Sequence, residues 1–78
     1  MDRKTFELEM MRAKTFMMIG EDYHYWAGYE KGLRRRFHAE NFGTDDEHKL
    51  WLSMANSDDD MRRNRGRGYH AGYNFPDS

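Results

Sequence analysis

The chain has 78 residues, no cysteine and a formal net charge of −1, with 35 % of its residues charged. This length suits one small domain, residues 1–78, and the lack of cysteine excludes disulfides and thiolate catalysis. No apolar run approaches the roughly 20 residues of a membrane span, and the first residues are not typical of a secretory signal. We therefore expect a cytoplasmic protein of a bacterial cell.

The first predicted helix covers residues 3–19, and Gly20 is its expected C-terminal stop. Its apolar side chains recur at helical spacing, at Phe6, Met10, Ala13 and Met17. Further apolar side chains widen this stripe: Leu8, Met11, Phe16, Met18 and Ile19. We interpret the stripe as core, with enough width left for a dimer or a partner surface.

The second predicted helix opens at Glu21 and Asp22, whose charges suit the positive end of a helix dipole. One face of this helix is aromatic and aliphatic, with Trp26, Tyr29, Leu33 and Phe37.

Two glycines four residues apart, Gly28 and Gly32, lie beside that face, and Gly68 and Gly72 repeat the spacing near the C-terminus. In both pairs a tyrosine, Tyr29 or Tyr69, follows the first glycine. A glycine inside a helix costs roughly 1 kcal/mol relative to alanine, so two such pairs indicate close packing. We predict that helices 2 and 4 cross at these glycines, with the tyrosines and Trp26 closing the sides. The repeat has two explanations, an old duplication or convergent use of one packing device.

The third predicted helix runs over about residues 45–55. Thr44 is its expected N-cap, because Thr44 and Glu47 have the spacing of a capping box. Asn41–Gly43 form the preceding loop. The side chains predicted to face inward are Leu50, Trp51 and Met54.

Ser57 is the expected N-cap of a fourth helix, residues 58–73, whose first turn would hold Asp58, Asp59 and Asp60. Met61 and the glycine–tyrosine segment supply its apolar side. Residues 74–78 are predicted to be a frayed tail. The elements together predict an all-α fold, a small bundle of three to four short helices.

The residue pattern gives no support for an enzyme or a metalloprotein. No phosphate-binding glycine loop is present, and Ser53 and Ser57 lack a nucleophile motif. Glu21 and His24 form one Glu-x-x-His pair, whereas a di-iron bundle needs two such pairs and two further glutamates. We expect neither a metal nor a cofactor.

Charged clusters of both signs are the expected partner-binding residues, because such clusters on a small domain suit contact with a macromolecule. Arginines at helix C-termini and aspartates at helix N-termini also stabilise helices without any ligand. A nucleic-acid-binding regulator using the same arginines is an alternative, although a near-neutral chain is not typical of one. A structural homodimer is the third reading. The expected binding residues are Arg34, Arg35, Arg36, Arg62, Arg63, Arg65, Asp58, Asp59 and Asp60.

Three short motifs between about residues 25 and 73 carry a resemblance. They are Tyr25-x-x-Gly28-Tyr29-x-x-Gly32-Leu33-Arg34-x-x-Phe37-His38-x-Glu40-Asn41-Phe42-Gly43-Thr44, His48-x-x-Trp51 and Arg65-Gly66-x-Gly68-Tyr69-x-x-Gly72. In style they resemble small orphan proteins of phages, plasmids and other mobile elements, of which anti-CRISPR proteins are the best-known group. Anti-CRISPR proteins share no common motif, so the resemblance locates no site. It implies a non-enzymatic inhibitor that binds a CRISPR effector nucleoprotein and blocks access of DNA or nuclease.

Overall fold

The computed structural model describes residues 1–75, apart from the side chain of Glu40. The described part is helical and contains no strand, which confirms the predicted fold class. Within it, no helix has both the length and the apolar character needed to cross a membrane. The helices are α1 (Arg3–Ile19), α2 (Tyr23–His38), α3 (Asp45–Ser53) and α4 (Asp60–Tyr73), with short 3-10 turns at Ala39–Asn41 and Met54–Asn56.

The first helix has the predicted bounds. Its first turn is capped by Asp2, whose carboxylate accepts a hydrogen bond from the Thr5 N–H at 2.7 Å. Its C-terminal stop is Gly20, which has a φ of +82° and donates its N–H to carbonyls in the last turn. The expectation for α2 was wrong by two residues. Glu21 and Asp22 precede the helix, and Asp22 makes no side-chain capping bond.

The N-caps of α3 and α4 differ in how well local sequence predicts them. Thr44 Oγ1 accepts a hydrogen bond from the Glu47 N–H at 3.1 Å, as predicted. Ser57 does not cap α4, so that prediction was wrong. Asp59 is the N-cap, accepting from the Arg62 N–H at 3.1 Å, while the Ser57 hydroxyl accepts from the Asp59 N–H one turn earlier. Helix α4 therefore begins at Asp60, the one member of the acidic triplet within its first turn.

The packing of α2 against α4 forms the centre of the molecule. A Cβ atom added to Gly28 would lie 1.9 Å from the carbonyl oxygen of Arg65, and one added to Gly68 would lie 1.8 Å from that of Tyr25. The second glycine of each pair has the same relation to the opposite helix: a Cβ on Gly32 or on Gly72 would come within 2.3 Å of a backbone oxygen. The two backbones are thus in direct contact, and no side chain larger than hydrogen fits between them.

The order of these contacts shows that α2 and α4 run parallel. Gly28 faces Arg65 and Gly32 faces Tyr69, so residue numbers increase together along both helices. The contacts are also reciprocal. Each glycine faces the carbonyl three residues before the equivalent glycine of the other helix, as Gly28 faces Arg65, three residues before Gly68. The two helices are therefore related by an approximate two-fold axis.

The approximate two-fold symmetry extends to the outer helices, because Tyr29 and Tyr69 each hydrogen-bond a side chain of the helix before their own. The Tyr29 hydroxyl donates to the Glu9 carboxylate of α1 at 2.7 Å. The Tyr69 hydroxyl is hydrogen-bonded to Nδ1 of His48 in α3 at 2.6 Å. The fold is thus two helical pairs, α1–α2 and α3–α4, joined through the glycines of α2 and α4.

The core lies mainly between α1 and α2 and is small. Met10, Ala13, Tyr29 and Leu33 are buried in one cluster. Aromatic stacking closes both ends of the α1–α2 interface, with ring centroids 4.6 Å apart for Phe16 and Trp26 and 4.3 Å apart for Phe6 and Phe37. The residues that close this interface are side chains of the predicted apolar faces.

The predictions for the chain after α2 needed several corrections. Leu50 and Met61, expected on apolar inner faces, are 58 % and 55 % exposed. Helix α3 ends at Ser53, and the backbone of the Met54–Asn56 turn lies against Gly66, whose added Cβ would be 2.1 Å from the Ala55 nitrogen. This turn, rather than a further turn of α3, covers α4. Phe75 packs on the core, contrary to the predicted frayed tail, and residues 76–78 lie outside the described part.

Candidate protein-binding surface

The predicted partner-binding arginines form two groups at different ends of the α2–α4 pair. Because the helices are parallel, Arg65 lies beside Gly28, near the start of α2. Tyr73 lies near the end of α2, where its carbonyl accepts from Arg36 Nη1 at 3.4 Å. The predicted binding arginines therefore lie in two groups, one near the start and one near the end of the α2–α4 pair.

The group at the end of α2 is occupied with contacts inside the molecule. Arg35 is only 8 % exposed, and its guanidinium reaches the Asp45 carboxylate at 2.7 Å and the Phe42 carbonyl at 3.3 Å. Arg34 pairs with Glu30 at 2.9 Å and lies over the Phe42 ring. These contacts hold the loop and the start of α3 against α2. Arg35 is thus placed to support the fold and is out of a partner's reach.

The group at the start of α4 is more open to solvent. Arg62 and the three aspartates Asp58, Asp59 and Asp60 are exposed. Arg63 is tied into the turn, since it donates to the Ser57 carbonyl at 3.2 Å and to the Asp60 carboxylate.

Arg65 is half-buried and orients a histidine of α2. Its Nε–H donates to His24 Nδ1 at 3.1 Å. Nδ1 of His24 is thus the acceptor in this contact. This contact links the start of α4 to the start of α2 and fixes the position of the Arg65 guanidinium.

A shallow cleft of about 320 Å³ lies at this end of α4. It is lined by Met54, Asp59, Met61, Arg62 and Arg65. The exposed methionine therefore lies among charges of both signs. Arginine and flexible apolar side chains are common in protein interfaces, where one supplies directional contacts and the other adaptable apolar area. We name Asp58, Asp59, Asp60, Met61, Arg62 and Arg65 the α4 surface.

A second cleft, of about 260 Å³, lies between the loop after α2, α3 and α4, and sequence reasoning missed it. Its walls include the Trp51 and Phe42 rings, with Lys31 Nζ 5.5 Å and 6.0 Å from their centroids. At its base lies the hydrogen-bonded pair of His48 and Tyr69. The sequence signal for this cleft was weak, because its residues come from three separate stretches of the chain.

The histidine and the tyrosine of this cleft are both neutral near pH 7. Burial lowers the pKa of His48, and the nearby positive charge of Arg35 lowers it further. Burial raises the pKa of Tyr69 to about 12. Nδ1 of His48 and the Tyr69 hydroxyl therefore form a hydrogen bond between two neutral groups. The pair fixes α3 on α4.

The described residues show no group of three or more His, Asp or Glu side chains that could hold a metal ion. Glu21 and His24, the one Glu-x-x-His pair, gain no further potential ligands from the fold of residues 1–75. The Ser53 hydroxyl donates to the Leu50 carbonyl of its own helix at 2.7 Å, and the Ser57 hydroxyl accepts from a backbone N–H. Both serines are engaged in local backbone contacts.

Comparison of the chain with protein-family models, with curated proteins and with solved structures found no match.

Proposed function

We propose that this protein is a small non-enzymatic binding protein, an inhibitor or adaptor from a mobile genetic element, that docks on another protein through the α4 surface. The observation that carries the proposal is the position of Met61. Its side chain is 55 % exposed at the start of α4, with Asp59, Arg62 and Arg65 around the same cleft. An exposed apolar side chain ringed by charges has the layout of an interface anchor with a polar rim.

The charges around Met61 favour a protein over a nucleic-acid backbone. Three aspartates, Asp58–Asp60, are exposed beside Arg62 and would repel phosphates. The whole chain has a net charge of −1, so no long-range field attracts nucleic acid. A protein partner with charges of both signs can pair with both halves of the surface. A CRISPR effector nucleoprotein is the first candidate target, since the resemblance of residues 25–73 to anti-CRISPR-like proteins implies one.

The proposal can be tested by capture from a bacterial lysate with tagged protein, with and without nuclease, followed by mass spectrometry. We expect one target to be retained after nuclease treatment and to be lost with the double variant Met61→Asp/Arg62→Glu. Arg67→Glu is the matched control. Arg67 is an exposed arginine of the same helix, five residues and thus about 140° around the helix from Arg62. The Arg67→Glu variant should capture the target as well as the unmodified protein does.

Three results would count against the proposal. Capture that disappears with nuclease would indicate binding through nucleic acid. Equal loss with both variants would indicate a general effect of charge, and full capture by the double variant would place binding elsewhere on the molecule. Charge reversal at Arg35 is not a useful probe of binding, because that side chain is buried against Asp45.

A further inference from the structure

The outward side of α1 carries an apolar stripe that nothing in the described chain covers. Leu8, Met11 and Met18 are 56 %, 65 % and 87 % exposed. The buried side chains of the same helix, Met10 and Ala13, lie on its other side against α2. The outer stripe is therefore additional to the face that builds the core.

The spacing of this stripe is that of a coiled-coil seam. With Lys4 and Thr15 included, the outward residues recur at intervals of four, three, four and three: Lys4, Leu8, Met11, Thr15 and Met18. This is the 3.5-residue repeat that keeps one side of a helix against a partner helix. Glu7 and Lys14, one heptad apart, flank the seam on the same side, and both are exposed.

We propose that two copies of this chain associate through their α1 helices in antiparallel orientation. In such a pair, each flank of one helix meets the same flank of the other, running in the opposite direction. Glu7 then lies beside Lys14 of the second copy, and Lys14 beside Glu7 of the second copy. The sequence of one flank is thus complementary to itself, which commits the surface to a second copy.

The same register places the apolar side chains together. Leu8 of each copy packs against Met11 of the other at the centre of the interface, and Lys4 lies across from Thr15. A parallel pair would instead bring Lys4 against Lys4 and would align the two helix dipoles, both of which are unfavourable. Glu7 also pairs with Arg3 within the helix, but the two side chains are 60 % and 83 % exposed. Such a pair contributes little stability, so little free energy is lost when Glu7 pairs with Lys14 of the second copy instead.

The size of the domain favours this association. Among residues 1–75, Leu33 is the one large side chain that is buried completely. A chain of this length gains from burying further apolar area between copies. Helix α1 has 17 residues, hence about 26 Å of length, and one such helix pair buries on the order of 1,000 Å². That area is at the low end for specific interfaces, so we expect a reversible dimer.

The association is tested by sedimentation velocity of the full chain between about 1 and about 500 µM. The unmodified protein should approach twice the 9.5 kDa of one chain as concentration rises. Glu7→Lys alone places lysines opposite each other, and Lys14→Glu alone places glutamates opposite each other. Each should weaken association by at least about tenfold. An equimolar mixture of the two variants should form a heterodimer, because both pairs are then again of opposite charge.

Controls separate this result from loss of folding or a change of net charge. Asp46→Lys and Lys49→Glu change the net charge by the same amounts as the two α1 variants, but at exposed residues of α3. Both control variants should dimerise like the unmodified protein. Far-UV circular dichroism should be the same for all variants. A monomer throughout the concentration range, a dimer unaffected by both single reversals, or a mixture that stays monomeric would each overturn the proposal. The α4 surface is not part of this interface, so the capture experiment and the sedimentation experiment fail independently.

Discussion

The two helical pairs use one backbone device but hold their outer helices by different chemistry. In both pairs a tyrosine follows the first glycine and hydrogen-bonds the preceding helix, at Glu9 in α1 and at His48 in α3. Helix α1, with 17 residues, packs through buried apolar side chains and stacked aromatic rings. Helix α3 has nine residues, none of them buried.

Polar contacts add to the stacking of the Trp51 ring on the Tyr69 ring in the attachment of α3. Asp45, at the start of α3, is bound by Arg35, and His48 is bound by Tyr69. The glycine crossing thus sets the positions of the α2 and α4 backbones but does not determine how α1 and α3 pack on them. We conclude that the α1–α2 pair depends mainly on apolar burial. Helix α3, which has no buried residue, depends on the stacking of Trp51 on Tyr69 together with a hydrogen bond to α4 and an ion pair to α2.

The largest loss of stability should come from filling the glycine crossing that both helical pairs share. In Gly28→Ala or Gly68→Ala, the new methyl carbon would lie within 2 Å of a backbone carbonyl oxygen, 1.9 Å for Gly28 and 1.8 Å for Gly68, so the helices must separate. We expect each variant to lose at least about 3 kcal/mol of unfolding free energy, which is most of the stability of so small a domain. Thermal unfolding followed by circular dichroism measures this. Arg67→Ala, on the exposed side of α4, is the control, and unchanged melting of both glycine variants would refute the crossing.

A smaller effect should be confined to the second pair. Arg35→Met removes the ion pair with Asp45 and the hydrogen bond to the Phe42 carbonyl. We expect a loss of about 1–3 kcal/mol and faster hydrogen exchange at the amides of α3, with α1 unaffected. Arg3→Met is the control, since its exposed pair with Glu7 within one helix contributes less than about 0.5 kcal/mol. Equal effects of the two variants would contradict the structural role assigned to Arg35.

The smallest expected effect is a dependence of stability on pH that only the second pair shows. Burial, with a contribution from Arg35, keeps the pKa of His48 in the folded protein below its ordinary value of 6.5. The unfolded chain therefore binds more protons near and below that value, so stability is complete above pH 6.5 and falls as pH decreases. Urea unfolding at pH 7.5 and at pH 5.5 should show a larger loss for the unmodified protein than for His48→Gln. The same difference in both proteins would exclude this histidine as the cause.

Local signals predicted most of the fold because they depend on residues within one or two turns. The apolar repeat of α1, the stop at Gly20 and the Thr44 cap all act over four residues or fewer. The glycine pairs also predicted which helices cross, because only a close backbone contact repays two glycines within a helix. The start of α2, the end of α3 and the cap of α4 were predicted wrongly. At α4, Ser57 and Asp59 both offer an acceptor, and the turn before the helix selects Asp59.

The sequence was thus sufficient to predict a bundle of three to four helices, both ends of α1, the start of α3, the end of α4 and the pair of helices that crosses. Tertiary structure alone decided that α2 and α4 run parallel, which separates the two arginine groups, and that Arg35 is buried on Asp45. It also decided that Leu50 and Met61 are exposed, because the turn at Met54–Asn56 lies on α4 at Gly66. The physical reason is range. Helices and caps form from neighbouring residues, whereas the burial of an arginine or a methionine depends on where a distant segment docks.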